Sequence, residues 1–305
     1  MATLQFVVPA EWDGCRLETF LRQLHGISSR MLTKVRHRPL GLRMNGRHIR
    51  TIDPVLAGAL VEVDVTDEER VYTRCDAIVA VPYEDDDLIV FDKPAGMASH
   101  PGKQHDTDTL ANIFAARTST AGLVYRVLGR LDQDTSGLVV VAKHRHAAHR
   151  LPRLMDKCYL AVVEGMLPRE GVVDAPIAEC PGERKRVIAQ TGRSAVTRYY
   201  TIWQGSAHSI ALLRLQTGRT HQIRLHMSSL GYPLAGDLLY GGTDGLIGRQ
   251  ALHCVALHID RPEQVLLTAP LPDDLRALLG ALGAEALETT QDTIRLYQRK
   301  ESWRP

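Results

Sequence analysis

Short apolar segments separated by glycine and proline fill the chain from about residue 83 to residue 282, and this pattern restricts its fold more than any other. The clearest segments are DLIVFDK, SGLVVVAK, CYLAVVEG, VTRYYTIW and SIALLRLQT. All have the length and the β-branched or aromatic content of strands. Two helical patterns follow, one in TGRTHQIRLHMSSLGYP with Gly231 at its C-terminal end and one over Asp273–Leu282. The sequence therefore predicts many strands and few helices.

The composition is that of an ordinary globular protein, with 305 residues of which 44% are hydrophobic and 24% charged. No apolar run approaches the ~18–20 residues that a membrane span needs, so we expect no membrane partner. The first residues lack the pattern of a signal peptide. Five cysteines without a CxxC pair predict reduced thiols in a cytoplasmic protein, instead of a disulfide framework or a zinc site.

The first 72 residues have a strongly asymmetric charge, although the net charge of the whole chain is only +2. Arg16–Arg50 contains nine arginines and lysines against the single acid Glu18, and residues 62–69 are acidic. Helices are predicted over Arg16–Leu24 and Ser28–His37, followed by an Asn-Gly turn between two strands and by the closing strand LVEVDV. This segment is expected to fold as a separate small domain.

Three basic side chains share one face of the second predicted helix if that helix continues to residue 38. Arg30, Lys34 and Arg38 are spaced at i, i+4 and i+8. Such a stripe is either a solvated helix face or a contact surface for RNA phosphates, and both interpretations stay open. The segments GCRLETFL, SSRMLTKV and MNGR and the closing strand together resemble an S4-type RNA-binding domain. The resemblance implies a small α/β module in which these three residues contact RNA.

The densest cluster of potential catalytic groups is GRLDQDTSG, at residues 129–137, immediately before a strongly apolar strand. Arg130 and Asp132 lie two residues apart, and Thr135 and Ser136 can cap the turn and so fix the direction of the carboxylate. Alternatively, the acidic side chains only bond the backbone of the turn. Spacing alone favours this second interpretation.

The segment TGRTHQIR places Arg219 and Arg224 near the start of a predicted helix, where free N–H groups also attract anions. The two arginines suit a phosphate or a partner carboxylate such as Asp132, and unpaired surface arginines are the alternative. The loop cluster 184–186 is similarly either a phosphate contact or a solvated surface. The histidine-rich residues 144–149 are expected to form either a basic patch that faces RNA or a plain surface, and no metal site.

Three blocks occur in the order and spacing of the signature blocks of the RluA-type pseudouridine synthases: GRLDQDTSG, KCYLAVVEG and TGRTHQIRLHMSSLGYPLAGDLLYG. The chain resembles this family over about residues 83–282; one departure is Gly129, where histidine is more usual. The resemblance implies an α+β fold whose catalytic domain, residues 83–283, contains a large mixed, mainly antiparallel sheet. The S4-like module of residues 1–72 precedes it, and a polar tail, residues 284–305, follows as a surface helix or a frayed end.

The same resemblance implies roles for individual residues. Asp132 matches the catalytic aspartate, and Arg224 matches the arginine that pairs with it. Tyr159 matches the tyrosine that stacks on the target uracil and takes part in proton handling at C5. Arg130 matches the arginine associated with the gap that a flipped base leaves. The other predicted substrate-binding residues are Ile223, Leu225 and Arg219.

The implied reaction converts uridine to pseudouridine without oxidation or hydrolysis, so we expect no metal, nucleotide or redox cofactor. Whether Asp132 attacks the ribose or abstracts a proton stays open. The expected partner is structured RNA, with large-subunit ribosomal RNA as the first substrate and tRNA as the second, and the enzyme is expected to be a monomer. Two other classes stay open: a non-catalytic ribosome-assembly factor that binds RNA, and a hydrolase with Asp132 and Asp134 as a carboxylate pair.

Overall fold

The computed structural model describes residues 3–27, 29–64, 72–102, 105–118, 124–243 and 245–298. The chain divides into two compact units, Met1–Arg70 and Val71–Pro305. Across the described ranges, no helix is both long enough and apolar enough to cross a membrane.

The first unit consists of a small antiparallel sheet and two short helices. Its elements are β1 (Thr3–Val7), α1 (Leu17–Gln23), α2 (Ser29–Val35), β2 (Leu42–Met44), β3 (Arg47–His48) and β4 (Leu60–Asp64). Within the part of the unit that the structure describes, the strand order is β1-β4-β2-β3. Phe20 of α1 and Leu32 of α2 pack with Val61 of β4 in a buried core. The predicted Asn-Gly turn joins β2 to β3, with φ of +48° at Asn45 and +76° at Gly46.

The basic stripe predicted along α2 is shorter than expected. A shared helix face was expected only if the helix continued to Arg38, and α2 ends three residues before it, so Arg38 does not lie on that face. Pro39 disfavours a helical backbone for the residue before it, and the N–H of Arg38 closes a short turn onto the last residue of α2 at 3.1 Å. The guanidinium of Arg38 lies 3.7 Å from the carboxylate of Asp64. Arg30 and Lys34 remain on α2, and the side chain of Arg30 lies outside the described residues.

A large mixed sheet forms the centre of the second unit. Its strands are β5 (Tyr83–Glu84), β6 (Leu88–Lys93), β7 (Arg126–Leu128), β8 (Ser136–Ala142), β9 (Met155–Glu164), β10 (Glu170–Asp174), β13 (Val196–Gln204), β14 (His208–Leu215), β15 (Leu252–Ile259) and β16 (Val265–Thr268), and β11 (Ile177–Glu179) pairs separately with β12 (Arg186–Ile188). In the described residues the order is β10-β13-β14-β9-β15-β8-β6-β5, with β7 beside β8 and β16 beside β15. Of these described pairs, only β8 with β15 is parallel. The predicted mixed, mainly antiparallel sheet is therefore confirmed.

Both faces of the central strands are buried, which explains their continuous apolar runs in the sequence. Successive side chains of a strand point to opposite faces. On β9, Tyr159 and Ala161 belong to one apolar cluster, whereas Leu160 and Val162 belong to another. The described helices of this unit are α3 (Leu110–Arg117), α4 (Arg145–Arg150), α5 (Gln222–Ser229), α6 (Asp273–Leu282) and α7 (Ala284–Gln298).

The C-terminal helices cover one of these faces. α6 has the bounds that the sequence predicts, and Leu275 and Leu278 on its inner side are buried. The predicted polar tail forms α7 as far as Gln298, and residues 299–305 lie outside the described ranges. Ala286 and Tyr297 of α7 pack into the same cluster as α6, so the tail is part of the core of the second unit.

Candidate active site

A tight loop between β7 and β8 holds Asp132 at the edge of the large sheet. The backbone N–H of Thr135 donates to the carbonyl of Asp132 at 3.1 Å and closes the turn. One residue earlier, the carbonyl of Leu131 accepts from the hydroxyl of Ser99 at 2.8 Å. The Asp132 side chain is 25% exposed. The loop therefore fixes the backbone around a carboxylate that a substrate can still reach.

Lys93, the last residue of β6, supports the same loop from inside the unit. Its ammonium group is fully buried and donates to three backbone carbonyls at 2.8–2.9 Å, among them that of Gln133, the residue after Asp132. Burial lowers the pKa of Lys93 to about 7, against the opposing effect of the negative charges on Asp134 and Asp132. Sequence analysis missed this residue. Its signal is a lysine at the end of a strand whose preceding residues are almost all apolar.

Arg249 holds the far side of the loop. Its guanidinium donates to the carboxylate of Asp274 at 2.6 and 3.0 Å and to the carbonyl of Asp134 at 3.0 Å. The hydroxyl of Ser136 pairs with Nδ1 of His253 on β15 at 2.9 Å. Residues more than 100 positions further along the chain therefore fix the loop, and the sequence carried no local sign of these contacts.

Arg224 on α5 links Asp132 to a second carboxylate that sequence analysis did not identify. Its Nη1 lies 3.6 Å from Oδ2 of Asp132, the pairing that the family resemblance implies. Its Nε and Nη2 donate to the two oxygens of Asp237 at 2.6 and 2.7 Å. Burial acts to lower the pKa of Arg224, but the hydrogen bonds and charge of Asp237 outweigh it and raise that pKa. Arg224 is therefore a permanent cation held in one orientation between two carboxylates.

Tyr159 lies on β9 within the apolar cluster that borders the loop. Its side chain is buried, and β9 pairs there with Cys254 of β15 and Leu213 of β14. Burial raises the pKa of the Tyr159 phenol well above its ordinary value, and the negative charges of neighbouring groups, including Asp132, act in the same direction. The phenol is therefore neutral at physiological pH. Ile223 of α5 belongs to the same apolar cluster.

The other residues that the sequence predicted for the site are Arg130, Leu225 and Arg219. Arg130 is exposed, and among the described residues it has no ion-pair or hydrogen-bond partner. Leu225 packs in a different cluster, with Tyr240, because residues two apart on a helix point to nearly opposite sides. Nε of Arg219 donates to the carbonyl of Ser194 at 3.0 Å.

The histidine-rich stretch forms the start of α4. Nδ1 of His144 accepts from the N–H of Ala147 at 3.1 Å and so caps the helix, and Nε2 of His144 pairs with Asp87 at 2.9 Å. The side chain of His146 lies outside the described residues. Among the described residues, no group of three histidine, cysteine, aspartate or glutamate side chains is placed to hold a metal ion.

Comparison with known proteins decides the family. A family model described as RNA pseudouridylate synthase matches residues 87–229. The chain is 37% identical over 313 residues to the protein named ribosomal large subunit pseudouridine synthase D from Xanthomonas campestris, covering 94% of this chain and 95% of that relative. The chain belongs to the RNA pseudouridine synthases of the RluA/RluD type. It is thus an isomerase that converts uridine in RNA to pseudouridine.

Two further similarities agree with this assignment. A Bacillus subtilis protein named uncharacterized RNA pseudouridine synthase YjbO is 38% identical over 268 residues, which cover 83% of this synthase and 95% of the relative. The solved structure of human RNA pseudouridylate synthase domain containing 4 has a TM-score of 0.55 and 25% identity, covering 66% of this chain and 92% of that one. The predicted family, fold class and isomerase activity are confirmed.

Proposed function

We propose that this synthase isomerises specific uridines of structured large-subunit ribosomal RNA, with Asp132 as its catalytic carboxylate. One observation carries the assignment of Asp132: a partly exposed carboxylate lies 3.6 Å from the fixed cation Arg224, on a loop anchored on both sides by Ser99 and Lys93. Support for the RNA class comes from relatives in Xanthomonas campestris and Pseudomonas aeruginosa, both named ribosomal large subunit pseudouridine synthase D.

The reaction conserves every atom of the nucleoside. The bond between N1 of uracil and C1′ of ribose breaks, the base rotates, and a new bond forms between C5 and C1′. A proton leaves C5, and N1 gains one. Asp132 acts on the ribose as a nucleophile or as a base, and Arg224 stabilises its charge and directs it in either case. The proposal covers both routes because each requires the same aimed carboxylate.

The target base must leave its stack in the RNA before Asp132 can reach the sugar, at a cost of a few kcal/mol. We assign the compensating contacts to Tyr159, which stacks on the extruded uracil, and to Ile223, which packs beside it. The exposed side chain of Arg130 occupies the gap in the RNA. Tyr159, whose phenol burial keeps protonated, can relay the proton from C5 if its hydroxyl oxygen accepts that proton while the hydroxyl's own proton passes to a second acceptor such as water.

The first unit is proposed to add RNA affinity through the basic residues of α2, Arg30 and Lys34, together with Arg38 beyond the helix end. An S4-like function of this unit and a cytoplasmic location stay predictions.

Release of tritium from [5-³H]uridine-labelled RNA tests the proposal. The intact protein and its Asp132→Asn variant are compared on ribosomal RNA and, in parallel, on tRNA. We expect release from ribosomal RNA by the wild type and none by the variant. Release from tRNA alone would replace the proposed substrate by tRNA. Undiminished release by Asp132→Asn would refute the role of Asp132.

A further inference from the structure

A cavity of about 310 Å³ in the second unit is lined by arginines from three separate backbone segments. Arg186 comes from β12, Arg193 from the turn that follows β12, and Arg219 from the segment before α5. The volume is at the lower end of the ~300–1,000 Å³ that is typical of ligand sites. The sequence predicts a substrate contact for Arg219 and leaves a phosphate contact open for residues 184–186, whereas it predicts no role for Arg193.

The described side chains that line the cavity carry a net positive charge, from three arginines and one glutamate. Glu179 is the one acidic side chain among the described lining residues, and its carboxylate is already paired with Arg186 at 3.2 Å. No carboxylate of the described residues forms an ion pair with Arg193 or Arg219. Nε of Arg219 is held by the carbonyl of Ser194 at 3.0 Å, whereas its two Nη atoms have no partner within the described part of the chain. Two cations are therefore available to an anion.

Hydrogen bonds restrain the backbone at both of these arginines. Arg193 and Ile177 exchange two backbone hydrogen bonds, both of 2.9 Å. The side chain of Gln222 accepts from the N–H of Arg219 at 3.0 Å. A Cβ on Gly192 would lie 2.6 Å from the backbone of Ile177, so only glycine permits this close approach. The cavity is thus built on restrained segments.

A single tyrosine joins the cavity to the catalytic residues. The N–H of Arg186 donates to the hydroxyl of Tyr240 at 2.7 Å, and the same hydroxyl pairs with Nδ1 of His221 at 2.9 Å. The ring of Tyr240 lies 5.2 Å from the guanidinium carbon of Arg224, which pairs with Asp132. Arg186, which lines the cavity, is therefore linked through Tyr240 to the arginine that pairs with Asp132.

We infer that the cavity binds one backbone phosphodiester next to the target uridine, through Arg193 and Arg219. The inference rests on the proposed function and deepens it. A guanidinium matches the geometry of a phosphate with parallel hydrogen bonds, and phosphate contacts fix the register of a protein on a nucleic acid. Holding the flanking phosphate keeps the extruded nucleotide from returning to its stack.

Binding measurements with uncleaved, unmodified RNA test the two arginines. Arg193→Gln and Arg219→Gln are made in the inactive Asp132→Asn protein, and Arg295→Gln serves as control because Arg295 is exposed on α7 and paired with Asp292. For a ribosomal RNA fragment that the wild type modifies, Kd should rise roughly three- to tenfold for each cavity variant. The slope of log K against log salt concentration should fall by about 0.7–0.9. Values equal to those of Arg295→Gln would overturn the inference.

Neutral methylphosphonate linkages, introduced one at a time into the same fragment, test the position of the phosphate. One linkage near the target uridine should weaken binding to Asp132→Asn protein but cause no further loss in the Asp132→Asn, Arg219→Gln protein. The same pattern of losses in both proteins would refute the assignment. A different result would refute the proposed function itself: no release of tritium from any ribosomal RNA by the wild type.

Discussion

Replacing Asp237 by asparagine should reduce both the stability of the second unit and its turnover. The Asp237 side chain is fully buried, and its two oxygens accept from Nε and Nη2 of Arg224 at 2.6 and 2.7 Å. Asparagine has the same shape and keeps one acceptor oxygen. Its NH₂ group would face a guanidinium donor, so one of the two charge-assisted hydrogen bonds is lost.

The expected loss of stability depends on the hydrogen bond and the ion pair that Arg224 keeps in the variant. A hydrogen bond to a charged group contributes about 1.5–3 kcal/mol, and Asp132 still lies 3.6 Å from Nη1. We therefore expect a loss of about 2 kcal/mol in the free energy of unfolding, below the ~3–5 kcal/mol seen when a buried charge loses its only partner. For a unit of this size, Tm should fall by about 4–8 °C.

The assay combines thermal unfolding followed by circular dichroism with tritium release at saturating RNA. Because Arg224 loses its fixed orientation, kcat should fall at least about tenfold while KM changes little. Asp292→Asn is the matched control, since Asp292 forms an exposed pair with Arg295 and its removal should leave Tm within about 1 °C of the wild type. An Asp237→Asn protein with the Tm and kcat of this control would refute the reasoning.

Three further predictions concern the support of the site. Burial lowers the pKa of Lys93 to about 7, so the unfolded chain binds more protons than the folded chain between about pH 7 and 10. Relative to Lys93→Met, the unfolding free energy of the wild type in urea should therefore rise by about 2–3 kcal/mol from pH 7 to pH 9, and parallel pH profiles would contradict this. At Gly137, with φ of +109°, a Cβ would lie 2.2 Å from the carbonyl oxygen of Cys254, so Gly137→Ala should cost more than about 3 kcal/mol by denaturant unfolding. Gly182→Ala, at φ of +82° with open space around it, should cost only about 1–2 kcal/mol, and equal losses would argue against the steric explanation. Tyr159→Phe preserves the ring, so RNA affinity should stay within about twofold while tritium release falls at least about tenfold, and wild-type turnover would exclude a role for the hydroxyl in proton transfer.

Short sequence patterns predicted the helices whose ends are determined by residues next to them in the chain. α6 has the predicted bounds, and the helix α5 is followed by Gly231 with φ of +85°, as its C-terminal signal indicates. The helix predicted over Ser28–His37 ends earlier, at Val35, so the condition for Arg38 to share its face is not met; Pro39 disfavours a helical backbone at Arg38 itself. α3, which begins with a capping box formed by Thr109 and Asn112, was not predicted, although its signal was present.

The support of the candidate site could not be predicted, because its contacts join distant parts of the chain. The segments around Lys93 and Arg249 do not show that these residues meet near Asp132, and the family block that contains Asp237 does not show that its carboxylate binds Arg224. Burial and partners decide their roles, and both arise only when the sheet is assembled. The family resemblance supplied the pair Asp132 and Arg224, whereas the second carboxylate on Arg224 became visible only in three dimensions.

The contacts between the Asp132 loop and β15 have a consequence for how the enzyme is made. Ser136 pairs with His253, and Arg249 bonds both the loop and Asp274, so the loop is completed by residues near the C-terminal end. Such pairing over long stretches of chain is slow to form, and a chain under synthesis folds from its N-terminus. A nascent chain can therefore complete its first unit well before the loop is fixed. We therefore expect catalytic competence only after residues 249–274 have left the ribosome, so a chain that ends before them should not modify RNA.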